Sequence, residues 1–151
     1  GMDSVRIAVS LAPDDGHILD IAGVTSIISN DPRFAAETSD PERHRVGAGR
    51  FGANNIWGLS QLMLGNYTDV IAAFSTASET GAPVSAPSLI FLAVAHDHLG
   101  NKAEASQIAA ELNATWPDFP VTAIVRRIFS NSPGFASDIL ERLAKHGYPR
   151  A

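Results

Sequence analysis

The chain contains no cysteine among its 151 residues, and this absence excludes disulfides and thiol chemistry. Charged residues make up only 18% of the sequence and aromatic residues 7%, whereas hydrophobic residues make up 45%. This composition is typical of a folded domain with a buried core and not of a disordered segment. The formal net charge of −5 argues against nucleic acid as a partner, because a nucleic-acid-binding surface needs a basic face.

Long apolar runs are also missing from the sequence. No run approaches the roughly 20 residues needed to cross a bilayer. The segment from Met2 to Arg6 leads into an amphipathic pattern and not into the apolar core of a signal peptide. We therefore expect a single cytoplasmic domain over residues 2–151 with no membrane partner.

Residue patterns for catalysis or metal binding are equally sparse. The serines lie in no strand–turn–helix elbow of the G-x-S-x-G type. Two imidazoles two positions apart on a helix point about 200° away from each other, so His96 and His98 cannot share one ion. We expect His96 to fill an interhelical site and either His98 or Asp97 to be exposed. The sequence thus predicts no enzyme, no metal site and no cofactor.

Two stretches of the sequence share one helix–turn–helix layout. Residues Leu89 to Pro117 predict two amphipathic helices joined at Gly100-Asn101, and residues Asn55 to Pro83 repeat this layout with Gly65 at the turn. The two turn glycines are 35 positions apart. This spacing predicts a tandem array of helical hairpins.

The repeat resembles the tetratricopeptide repeat, a helix–turn–helix unit of about 34 residues. In each unit the resemblance is carried by six positions: Trp57, Gly58, Gly65, Tyr67, Phe74 and Ala77, and then Leu92, Ala93, Gly100, Ala105, Leu112 and Pro117. Val70 and His96 depart from the family pattern, which has a small residue and an aromatic residue there. The resemblance implies an all-α domain, a short α-α superhelix of about three to four helical hairpins.

The predicted domain has four parts in chain order. We expect N-terminal helices over 2–30, an irregular loop over 31–52, the two clear repeats over 53–117 and a C-terminal hairpin over 118–151. A short helix within the loop, around 34–38 or 42–46, is left open. The tail after the last helix, from His146 onward, should pack back only in part.

The N-terminal helix has no hairpin mate in the predicted order. The pattern from Asp3 to Leu11 places Val5, Val9 and Leu11 inward, together with Ala8. Either the chain is a fragment of a longer protein or another subunit covers the exposed face of this helix.

The last hundred residues also resemble the C-terminal helical region of bacterial class III adenylate/guanylate cyclases. The resemblance rests on Trp116-Pro117, Ile124, Arg126-Arg127, Phe129, Pro133, Leu140-Glu141-Arg142-Leu143 and Gly147-Tyr148-Pro149. It implies an interaction or regulatory module of that lineage. It brings no catalytic residue, because the cyclase domain has no counterpart in this chain.

The expected functional surface is the concave side of the array, which the first helix of each hairpin lines and where such repeats bind extended segments. Seven residues are predicted to face a protein or peptide partner in this groove: Asn55, Leu59, Leu62, Ile90, Val94, Asp97 and Arg127. In so short an array, the apolar ones are also candidates for core. A second hypothesis is self-association into a homo-oligomer through exposed apolar end faces.

A third hypothesis concerns the glycine-rich segment 47–52. Its sequence matches G-x-G-x-x-G, but neither a preceding strand nor a βαβ unit accompanies it, so a plain loop is favoured. The remaining alternative is a phosphate- or nucleotide-binding site formed by Arg43, Arg45 and Arg50.

Overall fold

The computed structural model describes residues 1–47, 52–79 and 84–149. Within these ranges the chain forms nine α-helices and no β-strand, which confirms the all-α prediction. The helices are α1 Met2–Leu11, α2 Gly16–Ile28, α3 Pro32–Ser39, α4 Ala53–Leu64, α5 Tyr67–Glu79, α6 Ala86–His98, α7 Lys102–Thr115, α8 Val121–Ile128 and α9 Pro133–Lys145.

Eight of these helices pack as four consecutive pairs. Helix α2 packs on α3, α4 on α5, α6 on α7 and α8 on α9, while α1 packs on α2. The leading members of the pairs also contact one another in order, α2 with α4 and α4 with α6. We call α2, α4, α6 and α8 the first helices.

Short polar side chains fix where several helices begin. The Asp15 carboxylate accepts hydrogen bonds from the amides of His17 and Ile18 at the start of α2, both at 3.0 Å. At the start of α6, Ser85 and Ser88 form a reciprocal capping box. Each cap satisfies amides that have no partner within the helix, so these helix starts are encoded locally.

The two repeat turns have the same hydrogen bonding. Gly65 and Gly100 both adopt left-handed φ angles, 81° and 79°. The amide of Asn66 donates to the carbonyl of Gln61 at 2.9 Å. The equivalent bond 35 positions later joins the amide of Asn101 to the carbonyl of His96, also at 2.9 Å. Only glycine adopts this conformation without steric cost, which is why the turns fall at the two glycines.

The segment 31–52 is not irregular throughout, because α3 occupies Pro32–Ser39 and contains the first of the two short helices left open from sequence, around 34–38. Pro32 stands at the beginning of this helix, where a missing amide costs nothing, and the Asp31 carboxylate caps the amide of Phe34 at 3.1 Å. The Asn-Asp-Pro sequence that ends α2 therefore also starts α3. Residues 40–47 form no helix.

Helix α1 is held by a small apolar cluster of its own. Val9 packs with Leu19 and Phe34, and Val5 joins from one turn earlier. The prediction that Leu11 faces inward is wrong, because its side chain is 80% exposed. Leu11 lies two positions beyond Val9 and therefore points to nearly the opposite side of the helix.

The C-terminal tail packs back onto the core through Tyr148. The side chain of Tyr148 is fully buried in the main core. Its amide bonds to the Leu143 carbonyl at 3.1 Å, and Asn113 of α7 donates to the Gly147 carbonyl at 2.8 Å. Gly147 and Pro149 remain exposed, so the tail packs back in part, as predicted.

Candidate functional site

A cavity of about 380 Å³ lies on the side of the array lined by the first helices. Its lining comes from all four of them, with Ser85 preceding α6 and one residue of α5 in addition: Val24, Ile27, Ile28, Asn55, Ile56, Leu59, Phe74, Ser85, Pro87, Ser88, Phe91 and Ile128. We call this cavity the first-helix pocket. Its volume is in the range of ligand pockets in proteins.

The pocket has a buried apolar base and an accessible apolar wall. Ile27, Ile56 and Phe91 are each at least 95% buried. Ile28 is 40% exposed, and Leu59 is partly buried against the core. Among the lining residues in the described part of the chain, none carries a charge. The occupant that this surface suits best is therefore an uncharged apolar group.

Two of the three polar lining residues are already used to build α6. Ser88 Oγ donates to the carbonyl of Ser85 at 2.8 Å and accepts from its amide at 3.1 Å. Ser85 Oγ in turn accepts from the Ser88 amide at 3.3 Å. The third polar residue is Asn55, near the start of α4.

The pocket is closed at one side by contact between the first and last pairs. The Asn131 side chain donates a hydrogen bond of 2.7 Å to the carbonyl of Ile28, at the end of α2. Ile28 and Ile128 consequently both line the pocket although they lie in α2 and α8. Sequence reasoning missed Ile28 and Ile128 because no local pattern shows that the two ends of the array meet.

A second cavity of about 330 Å³ adjoins the first and shares Asn55, Phe74 and Ser88 with it. This cavity is more polar, because Ser75, Ser78 and Glu79 also line it. Phe74 separates the two volumes and packs on Phe91 with ring centroids 6.5 Å apart.

The structure divides the seven groove residues predicted from sequence. Asn55 and Leu59 line the pocket, and Arg127 is exposed beside Ile128. The prediction is wrong for Leu62, Ile90 and Val94, each only 1% exposed and part of the core. These side chains face neighbouring helices, and one helix face cannot serve as both core and binding surface.

The groove prediction is also wrong for Asp97, because its side chain lies between α6 and α9. Its carboxylate accepts hydrogen bonds of 2.6 Å from Arg142 and from the ring of His146. Burial disfavours the charged carboxylate, but the hydrogen bonds from His146 and Arg142 outweigh this and lower the pKa of Asp97. Asp97 therefore joins helices and does not contact a partner.

The neighbouring His98 is partly buried and not exposed. Its ring stacks on Tyr67 at a centroid distance of 4.0 Å and lies 3.2 Å from the Asp138 carboxylate. His96 instead contacts Asn101 at 3.2 Å. Among the residues that the structure describes, no group of three potential metal ligands is close enough to hold an ion.

Ser106, His146 and Asp97 form a hydrogen-bonded chain that superficially resembles a catalytic relay. The Ser106 hydroxyl lies 2.8 Å from Nδ1 of His146, whose Nε2 lies 2.6 Å from Asp97. Ser106 lies inside α7, where the neighbouring amides are used by the helix and cannot form an oxyanion hole. The chain of bonds therefore serves to join α6, α7 and α9.

The arginines of the third hypothesis make internal contacts. Arg43 donates to the carbonyls of Glu37 at 3.2 Å and Pro13 at 3.0 Å. Arg45 donates to the Thr38 carbonyl and lies 3.9 Å from the buried Asp20 carboxylate. Burial lowers the pKa of Arg45, which the Asp20 charge opposes. Arg50 lies outside the described residues, so the three-arginine site is tested only in part.

Comparison of the chain with protein-family models, with curated proteins and with solved structures found no match. Among the described residues, no helix combines the length and apolarity required to span a membrane. The function must therefore be argued from the geometry of the first-helix pocket.

Proposed function

We propose that this chain is a non-catalytic, tetratricopeptide-like interaction module that binds an apolar group of a protein partner in the first-helix pocket. The supporting observation is that four helices converge on one uncharged apolar cavity of about 380 Å³. The matched turns at Gly65 and Gly100 support the repeat relationship. As in the helical region of the cyclases that the sequence resembles, the role is regulatory or connecting.

The energetics favour a small number of anchor side chains. Burial of one large apolar side chain contributes roughly 1.5–3 kcal/mol, and interfaces concentrate their binding energy in a few such anchors. Val24, Ile28, Leu59 and Ile128 offer apolar surface at the pocket. A partner with one or two bulky apolar side chains is expected to bind weakly, because such anchors together contribute at most about 6 kcal/mol.

Selection from a displayed peptide library tests this proposal. Peptides selected on the intact chain should carry bulky apolar anchors and should bind Leu59→Arg at least about tenfold more weakly, as expected at a binding hot spot. Leu64→Arg is the matched control, because Leu64 belongs to the same helix, is 36% exposed and does not line the pocket.

A second pair of variants separates loss of binding from loss of folding. Ile28→Lys places a charge at the pocket, and Ile21→Lys places the same charge on an exposed position of the same helix. Circular dichroism and the free energy of unfolding would verify that all four variants fold. Equal peptide binding by all four would refute the proposal.

A phosphate- or nucleotide-binding function is the less favoured candidate, because Arg43 and Arg45 already donate to backbone carbonyls. Isothermal titration with inorganic phosphate and with ATP tests it directly. Binding heat that disappears in an Arg43→Gln, Arg45→Gln variant would support that function.

A further inference from the structure

Helix α1 carries an apolar ridge that is not packed against the rest of the chain. Ile7 is 59% exposed and Leu11 is 80% exposed, whereas Val9 is buried against α2 and α3. Ile7 and Leu11 are four positions apart and therefore lie on the same side of the helix. We call these two residues the α1 ridge. Such an i, i+4 pair is the pattern by which an amphipathic helix anchors in an apolar groove.

Acidic residues flank the ridge at both ends. Asp3 is four positions before Ile7, which places it on the same line along α1, and Asp14 is three positions after Leu11. Both are exposed. A surface that binds the ridge should therefore combine an apolar cavity with a basic edge.

The first-helix pocket has such an edge. Arg127 is exposed on α8, directly before Ile128, whose side chain lines the pocket. The charge of this edge is complementary to the charge of the ridge.

We propose that the α1 ridge of one copy of this chain docks into the first-helix pocket of a second copy. The inference rests on the proposed function and names its partner. The contact joins two different surfaces, so a pair of copies retains a free pocket on one copy and a free ridge on the other. Such head-to-tail contacts build open chains of copies whose length grows with concentration.

Complementary single variants provide the sharpest test. Sedimentation velocity of the intact chain, up to about 0.5 mM to include weak specific contacts, should show concentration-dependent oligomers. Leu11→Arg removes the ridge, and Leu59→Arg blocks the pocket, so each alone should remain monomeric. Mixed in equal amounts, they should form a one-to-one heterodimer that does not extend, because only one intact ridge and one intact pocket remain.

A charge exchange tests the orientation independently. Arg127→Glu alone and the Asp3→Lys, Asp14→Lys variant alone should each weaken self-association about tenfold or more. Combined in one chain, the three substitutions should restore it. Leu64→Arg serves as control and should oligomerise like the intact chain.

The outcomes separate this inference from the proposed function. Monomers at all concentrations, together with peptide binding that depends on Leu59, would overturn self-docking and leave the interaction module intact. Oligomers that persist in both single variants would overturn the ridge-to-pocket contact and place the interface elsewhere. Failure of the peptide selection together with formation of the heterodimer would restrict the pocket to this one partner.

Discussion

The side chain of Asn131 and the backbone carbonyl of Ile28 are joined by a hydrogen bond of 2.7 Å across 103 positions of sequence. Ile28 ends α2, and Asn131 lies in the turn between α8 and α9. This bond connects the first helix pair to the last. Ile28 and Ile128 both line the resulting apolar pocket.

Replacement of Asn131 should loosen the pocket more than it destabilises the fold. We expect Asn131→Ala to lower the free energy of unfolding by about 0.5–1.5 kcal/mol, the usual contribution of one hydrogen bond. It should also weaken peptide binding at the pocket. Urea denaturation and fluorescence anisotropy measure the two effects. Asn113→Ala is the control, because Asn113 also donates to a backbone carbonyl, that of Gly147. Equal weakening of peptide binding by both variants would contradict a specific role for Asn131.

Gly58 should tolerate no larger side chain, because a Cβ atom there would lie 2.9 Å from Cε2 of Phe74 and 3.0 Å from its Cζ. We expect Gly58→Val to lower the free energy of unfolding by about 1–3 kcal/mol through overpacking. Gly134→Val is the control, since no atom lies within 4 Å of a Cβ at that position. Denaturation curves in urea would measure both. A loss for Gly134→Val as large as that for Gly58→Val would assign the effect to helix propensity and not to the contact with Phe74.

His98 should make stability fall in mildly acidic solution. Burial, followed by the nearby Arg142 charge, lowers the pKa of His98 below its ordinary value of 6.5, although Asp138 opposes this. The unfolded chain therefore binds a proton more readily at this site. Stability from the neutral ring is present above pH 6.5 and is lost as the pH falls towards the lowered pKa.

The free energy of unfolding measured against pH tests the His98 effect. The contribution of one group cannot exceed about 1.4 kcal/mol per pH unit. His98→Gln should flatten the profile below pH 6.5, and His17→Gln, at an exposed position at the start of α2, is the matched substitution for comparison. A profile that His98→Gln does not alter would refute the assignment.

Tyr148 should stabilise the fold through its ring and not through its hydroxyl. The residue is fully buried, and among the described residues its hydroxyl has no hydrogen-bond partner. Tyr148→Phe should therefore change stability by less than about 1 kcal/mol or increase it, because an unsatisfied buried group is removed. Tyr148→Ala should cost roughly 3–5 kcal/mol, the usual loss for a large aromatic side chain. Thermal and urea unfolding would measure both. A large loss for Tyr148→Phe would indicate a bond at the hydroxyl.

Leu62 and Asp97 show where the repeat pattern stops being informative. They are equivalent positions, 35 residues apart, before the two matched turns. Leu62 is buried in the core, whereas Asp97 pairs with Arg142 and His146 of the C-terminal segment. Sequence periodicity showed that Leu62 and Asp97 occupy equivalent positions in the two repeats. It did not reveal the partners, because these lie 45 and 49 positions away.

By itself, the sequence determined the all-α class and the positions of the two matched turns, since caps, glycine conformation and helical periodicity act over a few residues. The start of α3 is also encoded locally, by Asp31 and Pro32, directly after the end of α2. Only the tertiary structure decided which apolar faces became core and which remained accessible. Leu62, Ile90 and Val94 were buried by neighbouring helices, while Leu11 stayed exposed. The pocket itself exists because α2 and α8 meet, and such a contact depends on how all the intervening helices pack.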